Sequence, residues 1–109
     1  MTYFLDPSKV ERIELVDGIT VRPMWGDKIM MSVVEIAPNA VLPNHVHSQE
    51  QAGLVLQGEF EFTIDGKTKR VKQGDAYVIP GGVEHGLVGS DAWALALDIF
   101  SPPRDDYKR

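Results

Sequence analysis

The chain has 109 residues, of which 43% are hydrophobic; this length supports one domain with a modest core, spanning residues 1–109, and excludes two. The absence of cysteine excludes disulfides and thiolate ligands, so any bound metal ion must be held by nitrogen and oxygen atoms. A formal net charge of -5, no export signal and no run of about 18 apolar residues argue against nucleic acid and membranes as partners, and favour a cytoplasmic protein that binds a small molecule.

Glycine and proline recur at short intervals along the chain, which leaves little room for helices of ordinary length. Between them, apolar and polar residues alternate in the manner of half-buried strands. We predict strands over 32–36, 52–57, 59–64, 67–71, 76–79, 86–88 and 93–100, and one helical turn over 7–12. Many short strands joined by turns indicate an all-β domain, either a barrel or a sandwich.

Two of the three histidines, His45 and His47, lie two residues apart. If this segment is a strand, both imidazoles point to one face and can reach the same ion. Gln51 is an even number of residues from His47, so on a regular strand it would share the face of the histidines, whereas Glu50 would lie on the opposite face. The third histidine, His85, follows a bend rich in proline and glycine. We predict that these three histidines and Gln51 hold a divalent metal ion; the alternatives are solvated loop histidines and a metal that serves only as a structural clip.

A hairpin is predicted around Asp65 and Gly66, because this residue pair favours a tight two-residue turn. The strand before the turn carries Phe60, Phe62 and Ile64 on one face, which makes that face the buried one. The basic run over 67–72 follows the turn, and its simplest interpretation is the solvated face of an edge strand. We assign no ligand to it.

The last predicted strand has two contrasting faces. One face carries Trp93, Leu95, Leu97 and Ile99, and the other carries Ala94, Ala96, Asp98 and Phe100. Because alanines are small and leave space, we expect the second face to border a cavity, with Asp98 and Phe100 projecting into it beside the metal. A buried aspartate needs a partner, so pairing with a neighbouring lysine or arginine is the alternative role for Asp98. The first face packs either inside the domain or across an interface, and we expect a homodimer.

The two patterned segments resemble the two motifs of the cupin superfamily. The first motif, His-x-His-x3-acid/amide-x6-Gly, matches the segment from His45 to Gly58. The second, Gly-x5-Pro-x-Gly-x2-His, matches the segment from Gly74 to His85. This resemblance implies the cupin fold, a small antiparallel jelly-roll β-barrel with a metal ion in its wider mouth.

Two positions depart from the usual cupin pattern. Gln51 stands where a glutamate ligand is usual, and Gly89 stands where an asparagine often closes the second motif. Three neutral imidazoles and a neutral amide leave the charge of a divalent ion uncompensated, so the centre should favour an anionic oxygen ligand. That preference would disappear if Glu50 were the ligand. Such donors accept nickel, zinc, iron, manganese or cobalt and do not select one of them.

The segment 98–107 closely resembles the tail of KdgF-type cupins, which act in pectin and alginate breakdown and also place glutamine at the position of Gln51. The similarity extends over nearly the whole chain, including residues 53–64. It implies an unsaturated pyranuronate lyase, which converts 4,5-unsaturated uronate monosaccharides to linear 5-keto-4-deoxyuronates. The functional residues of these cupins map onto Asp98, Phe100 and Arg104.

The chemistry of these side chains suits that reaction, because ring opening needs proton movement and stabilised negative charge near the substrate carboxylate. As a hypothesis, the metal and Arg104 bind the carboxylate, Asp98 transfers protons at the hemiacetal hydroxyl or at C4, and Phe100 packs on the sugar ring. For Arg104, the alternative is a surface ion pair with Asp105 or Asp106.

Two other functions are compatible with a cupin: a dioxygenase-like redox enzyme that uses iron or manganese, and a sugar-binding protein without catalysis. Activity retained with zinc or nickel under anaerobic conditions would count against the first, and turnover would count against the second. Gln57, Tyr77 and Trp25 are further candidates for the pocket, although aromatic residues in a small barrel more often belong to the core.

Overall fold

The computed structural model describes residues 3–108, and most of them lie in β-strands. The strands are β1 (Ile13–Val16), β2 (Ile19–Trp25), β3 (Met30–Ile36), β4 (Val41–His45), β5 (Glu50–Gln57), β6 (Glu59–Ile64), β7 (Lys67–Lys72), β8 (Ala76–Ile79), β9 (His85–Gly89) and β10 (Ala94–Ser101). Short 3-10 helices span Pro7–Lys9 and Asp105–Tyr107. Each predicted strand is confirmed to within two residues at either end. Neither short helix in this part of the chain has the length or hydropathy to span a membrane.

The strands form two antiparallel sheets, one with the order β1-β2-β3-β10-β5-β8 and the other with the order β4-β9-β6-β7. Apolar side chains from both sheets form one core, with Val21 and Val55 from the larger sheet packed in the same cluster as Phe60 and Phe62 from the smaller one. Phe60 is only 1% exposed. The expectation of an all-β domain is therefore confirmed.

The predicted strands do not include β1, β2 or β4. β1 is only four residues long, and β2 contains Pro23, which normally argues against a central strand. In the ladder, β1 pairs with β2 only as far as Val21, so Pro23 lies beyond the β1 partner and needs no amide hydrogen on that side. The alternation of buried Ile19 and Val21 with the half-buried residues between them is that of an ordinary strand.

The predicted hairpin is confirmed: Ile64 pairs with Lys67 across the turn, and Asp65 and Gly66 both have positive φ, 51° and 75°. These are the backbone angles of the turn that asparagine or aspartate followed by glycine favours. The strand after the turn, β7, lies at the edge of the smaller sheet, and all of its residues except Val71 are exposed.

The last strand, β10, lies in the middle of the larger sheet between β3 and β5. Its predicted inner face is confirmed, since Ala94, Ala96 and Phe100 are buried. Asp98 pairs in register with Ser32 on β3 and with Gly53 on β5. This central position brings side chains from distant parts of the chain to one level of the sheet.

Candidate metal centre and catalytic pocket

Three imidazoles converge between the two sheets. His45 ends β4 and His85 begins β9, and these two residues are direct partners in the ladder. His47 lies in the connection that follows β4. One ring nitrogen from each of the three residues lies within 4.8 Å of the others. The structure thus brings together the histidines that the two sequence motifs singled out.

The convergence does not arise from a single regular strand, as the sequence argument assumed. β4 ends at His45 and β5 begins at Glu50, and residues 46–49 cross from the smaller sheet to the larger one. His47 therefore reaches the cluster from the connection between the sheets, and not because it alternates with His45 along one strand. Gln51 is on the inner face of the new strand, 5% exposed, and Glu50 is exposed on the other face.

The same hydrogen bond orients each imidazole. The Nδ1 atom of each histidine lies 2.9–3.0 Å from a backbone carbonyl oxygen two residues away along the chain. Because a carbonyl oxygen only accepts, Nδ1 carries a hydrogen and donates it, and in a neutral ring the lone pair is then on Nε2. In each neutral ring, Nε2 is therefore the atom available to bind a cation.

Gln51 adds an oxygen to this cluster. Its Oε1 lies 3.0 Å from Nε2 of His47, and its amide also donates a hydrogen bond to Asp98. With the hydrogen of His47 on Nδ1, both Nε2 and Oε1 are acceptors, and two acceptors at this distance repel unless a positive charge lies beside them. The arrangement fits a divalent ion held by three nitrogens and one amide oxygen.

The surroundings of two of the imidazoles, His47 and His85, favour their neutral form. Burial lowers the pKa of His85 to about 4, and burial together with the positive charge of Arg104 lowers the pKa of His47. A neutral imidazole is the form that coordinates a metal. The three-histidine cluster is thus consistent with a divalent metal site.

Asp98 lies next to this cluster, on the larger sheet. The hydroxyl of Tyr77 donates a 2.6 Å hydrogen bond to Oδ1 of Asp98. Burial raises the pKa of Asp98 to about 6, although the hydrogen bonds from Tyr77 and Gln51 and the charge of Arg104 oppose the shift. Within residues 3–108 no lysine or arginine forms an ion pair with it, so the alternative of a strand-end ion pair is not realised.

A glycine allows Tyr77 to reach Asp98. Gly53 lies on β5 in register with both residues, with Asp98 on one neighbouring strand and Tyr77 on the other. A Cβ atom at Gly53 would overlap the Tyr77 ring and lie 2.5 Å from Oδ1 of Asp98. The two side chains can therefore meet above the strand that separates them only because that strand has no side chain there.

The sequence argument treated Tyr77 as more often a core residue, and in the structure it lines the pocket. Its ring packs edge-on against Phe62, with centroids 4.7 Å apart. The signal that could have identified it is the register Asp98–Gly53–Tyr77, which becomes visible only once the strand order is known. The other two candidates lie outside the pocket: Gln57 is exposed, and Trp25 is 39% exposed on the surface.

Phe100 and Arg104 border the same space. Phe100 is 2% exposed, and its ring centroid lies 5.6 Å from that of His47. The guanidinium carbon of Arg104 lies 5.5 Å from the Phe100 centroid and 4.1 Å from the Tyr107 centroid. Both aromatic faces favour a cation at these distances.

Arg104 also takes part in the ion pair that the sequence left as an alternative. It donates from Nε and Nη2 to the carboxylate of Asp106 at 3.3 and 2.8 Å, and from Nη1 to the hydroxyl of Tyr107 at 2.9 Å. Asp105 instead pairs with Lys108. A guanidinium has five N–H groups, and these three bonds leave two of them for another anion.

These side chains line one cavity between the sheets, with an empty volume of about 500 Å³ including its open mouth. His45, His85, Gln51, Asp98, Phe100 and Arg104 all contribute to its wall. Candidate metal-binding donors, the half-buried carboxylate of Asp98 and the guanidinium of Arg104 therefore line the same cavity. This combination offers donors for a metal ion and charged groups for a small polar ligand in the same cavity.

Comparison with known proteins defines the class. The family model of the cupin domain matches residues 32–100, and the chain belongs to the cupin family. It is 36% identical to the pectin degradation protein KdgF of Dickeya dadantii over 107 residues, which is 96% of both chains. The solved structure of KdgF from Halomonas sp. is similar with a TM-score of 0.89 and 31% identity, over 99% of this chain and all of that one. An RmlC-like cupin from Shewanella frigidimarina has a TM-score of 0.90 and 26% identity, over 99% and 97% of the two chains.

Proposed function

We propose that this protein is a metal-dependent unsaturated pyranuronate lyase, which converts 4,5-unsaturated uronate monosaccharides from pectin or alginate breakdown into linear 5-keto-4-deoxyuronates. The observation that carries the proposal is the half-buried carboxylate of Asp98, bound by Tyr77 and Gln51 beside the three-histidine cluster. The similarity over nearly the full length to a protein named for pectin degradation supports it.

The reaction is an isomerisation with one proton lost and one gained. The hydroxyl on C1 loses its proton, the bond from C1 to the ring oxygen breaks, and C1 becomes an aldehyde. The ring oxygen becomes the ketone oxygen on C5, and a proton is added at C4. A carboxyl group with a pKa of about 6 can accept a proton and return one near neutral pH, which suits Asp98 for transfer at the hemiacetal hydroxyl or at C4.

The remaining side chains bind and orient the sugar acid. A divalent ion held by His45, His47, His85 and Gln51 would supply positive charge beside the developing negative charge. The two uncommitted N–H groups of Arg104 bind the substrate carboxylate. Phe100 packs on the sugar ring and keeps water from it.

The test is a rate measurement. Unsaturated galacturonate is generated freshly with a polysaccharide lyase, and the loss of its ultraviolet absorbance is followed with the purified, metal-loaded protein. We expect a rate that rises in proportion to protein concentration, and a product identified as the linear keto acid by mass and NMR spectra. A rate equal to spontaneous ring opening at every protein concentration would contradict the proposal.

We propose further that the protein acts as a cytoplasmic homodimer. The outer face of the larger sheet is apolar across three neighbouring strands, with Met31 paired to Ile99 and Leu97 paired to both Val33 and Leu54. Met31 and Leu54 are 42% and 40% exposed. Sedimentation should show a dimer that Leu97→Glu converts to a monomer; a monomeric wild type would contradict this.

A further inference from the structure

Four residues lie at one level of the larger sheet, on four neighbouring strands: Ser32 on β3, Asp98 on β10, Gly53 on β5 and Tyr77 on β8. Side chains of paired residues on neighbouring strands lie on the same face. Asp98 is therefore flanked on one side by Tyr77, which binds it above Gly53, and on the other side by Ser32. We call these four residues the polar row.

Ser32 has no evident structural role in this row. It is fully buried, and within residues 3–108 its hydroxyl has no hydrogen-bond partner. The other inward positions of β3 are Met30, Val34 and Ile36, all apolar. Alanine would fill the position without the cost of removing a hydroxyl from water. Packing alone therefore gives no reason for a serine here, and its hydroxyl is available to a ligand or an ordered water.

The ligand has to reach Ser32 through the pocket. Ser32 lines the same cavity as Asp98, His45 and His85. The Asp98 carboxylate accepts hydrogen bonds from Tyr77 and Gln51, and a carboxylate has about four acceptor sites, so it can accept a further one. A group placed between Ser32 and Asp98 meets a carboxylate that accepts and a hydroxyl that can donate.

We propose that Ser32 and Asp98 form a hydroxyl-binding subsite, in which a ligand hydroxyl donates to Asp98 and accepts from Ser32, while Gly53 and Tyr77 position the carboxylate. A second carboxylate would be repelled there by Asp98, and an apolar group would leave both partners unsatisfied. The hydroxyl belongs either to the sugar acid or to an ordered water molecule. The first source rests on the proposed function, and the second does not.

The experiment compares Ser32→Ala with Ser101→Ala in the metal-loaded protein. Ser101 provides the matched control, because its exposed hydroxyl donates to the backbone oxygen of Lys28, outside the pocket. Two quantities are measured for each variant: kcat/KM on freshly generated unsaturated galacturonate, and the thermal midpoint without substrate.

If a sugar hydroxyl occupies the subsite, Ser32→Ala should lower kcat/KM about tenfold or more and leave the thermal midpoint unchanged or higher. If an ordered water occupies the subsite, Ser32→Ala should lower the thermal midpoint by about 4 °C or more and keep kcat/KM within about threefold of the wild type. Both quantities unchanged, or a higher midpoint with unchanged kcat/KM, would overturn the subsite.

A wild type that does not open the sugar would refute the proposed function without deciding the subsite. The thermal midpoint then decides it. A lower midpoint for Ser32→Ala, together with an ordered oxygen within hydrogen-bond distance of Oγ in a high-resolution crystal structure of the wild type, supports the water. An unchanged or higher midpoint, or no such oxygen, overturns the subsite.

Discussion

The two sheets contribute different chemistry to one cavity. The smaller sheet provides His45 and His85, which are joined in the ladder between β4 and β9. The larger sheet provides Asp98 and Tyr77, which are brought together by register across β10, β5 and β8. The crossover between the sheets carries His47. Under the proposed function, the histidines of the smaller sheet would help to hold a cation and Asp98 on the larger sheet would move protons.

This division predicts that substitutions at the histidines of the smaller sheet and in the polar row of the larger sheet separate metal content from turnover. A change at a ligand on the smaller sheet should remove both. A change in the polar row should remove turnover and leave the metal.

The largest effect is expected from His85→Ala. Loss of one of three imidazoles removes a ligand that burial keeps neutral, so bound metal should fall and turnover should drop by about 10³-fold or more. Bound metal is measured by mass spectrometry, and turnover is measured with the ultraviolet assay. The control is Glu84→Ala, because Glu84 is adjacent and exposed. Full metal content in His85→Ala would show that the cluster is not the metal site.

Gly53→Ala should come next. The added methyl group overlaps Tyr77 and Asp98, so the carboxylate must move and kcat should fall by about 10²-fold, while metal content stays unchanged. Gly26→Ala serves as the matched control, because nothing lies within 4 Å of a Cβ atom there. Unchanged kcat in Gly53→Ala would refute the positional role of the polar row.

Gln51→Glu tests the charge of the centre. A carboxylate ligand binds the ion more tightly, reduces its attraction for an anionic substrate and cannot donate to Asp98. We therefore expect higher metal affinity and a kcat/KM lower by about tenfold. Gln57→Glu makes the same change at an exposed position of the same strand and should have no effect. An activity equal to or above that of the wild type would contradict the argument from uncompensated charge.

The smallest effect is expected from Tyr77→Phe. The ring still packs against Phe62, and only the hydroxyl bonded to Asp98 is lost. We expect kcat to fall about tenfold with KM nearly unchanged, because the carboxylate loses one of its two donors but keeps Gln51. Steady-state kinetics measure kcat and KM separately. A rise in KM alone would instead indicate that Tyr77 contacts the substrate.

The same contrast between the sheets explains what the sequence could predict. The histidines and Gln51 belong to two short segments with fixed spacing, and the fold places those segments together. The cluster could therefore be predicted from the spacing of these residues. The argument from parity was nevertheless wrong for His47, because the chain crosses between sheets after β4. The alternation along β10 correctly predicted an inward Asp98, since side-chain period is a local property.

The polar row was not predictable in this way. Ser32 and Tyr77 reach Asp98 only through the strand order β3-β10-β5-β8, which depends on pairings between distant segments. Ser32 also lies on the inward face of β3, which is otherwise apolar, and Tyr77 is an aromatic residue of the kind usually found in a core. For Arg104, the ion pair with Asp106 is present and leaves two donors for another anion, and binding of the substrate carboxylate stays a prediction.

The most direct test of the account is Asp98→Asn, an isosteric change that removes the proton-accepting group while an amide can still occupy the site between Tyr77 and Gln51. Metal content and the rate of absorbance loss of unsaturated galacturonate are measured on the same preparation. The account predicts metal content equal to that of the wild type and a rate lower by about 10³-fold. A variant that keeps the wild-type rate, or that loses its metal, would contradict it.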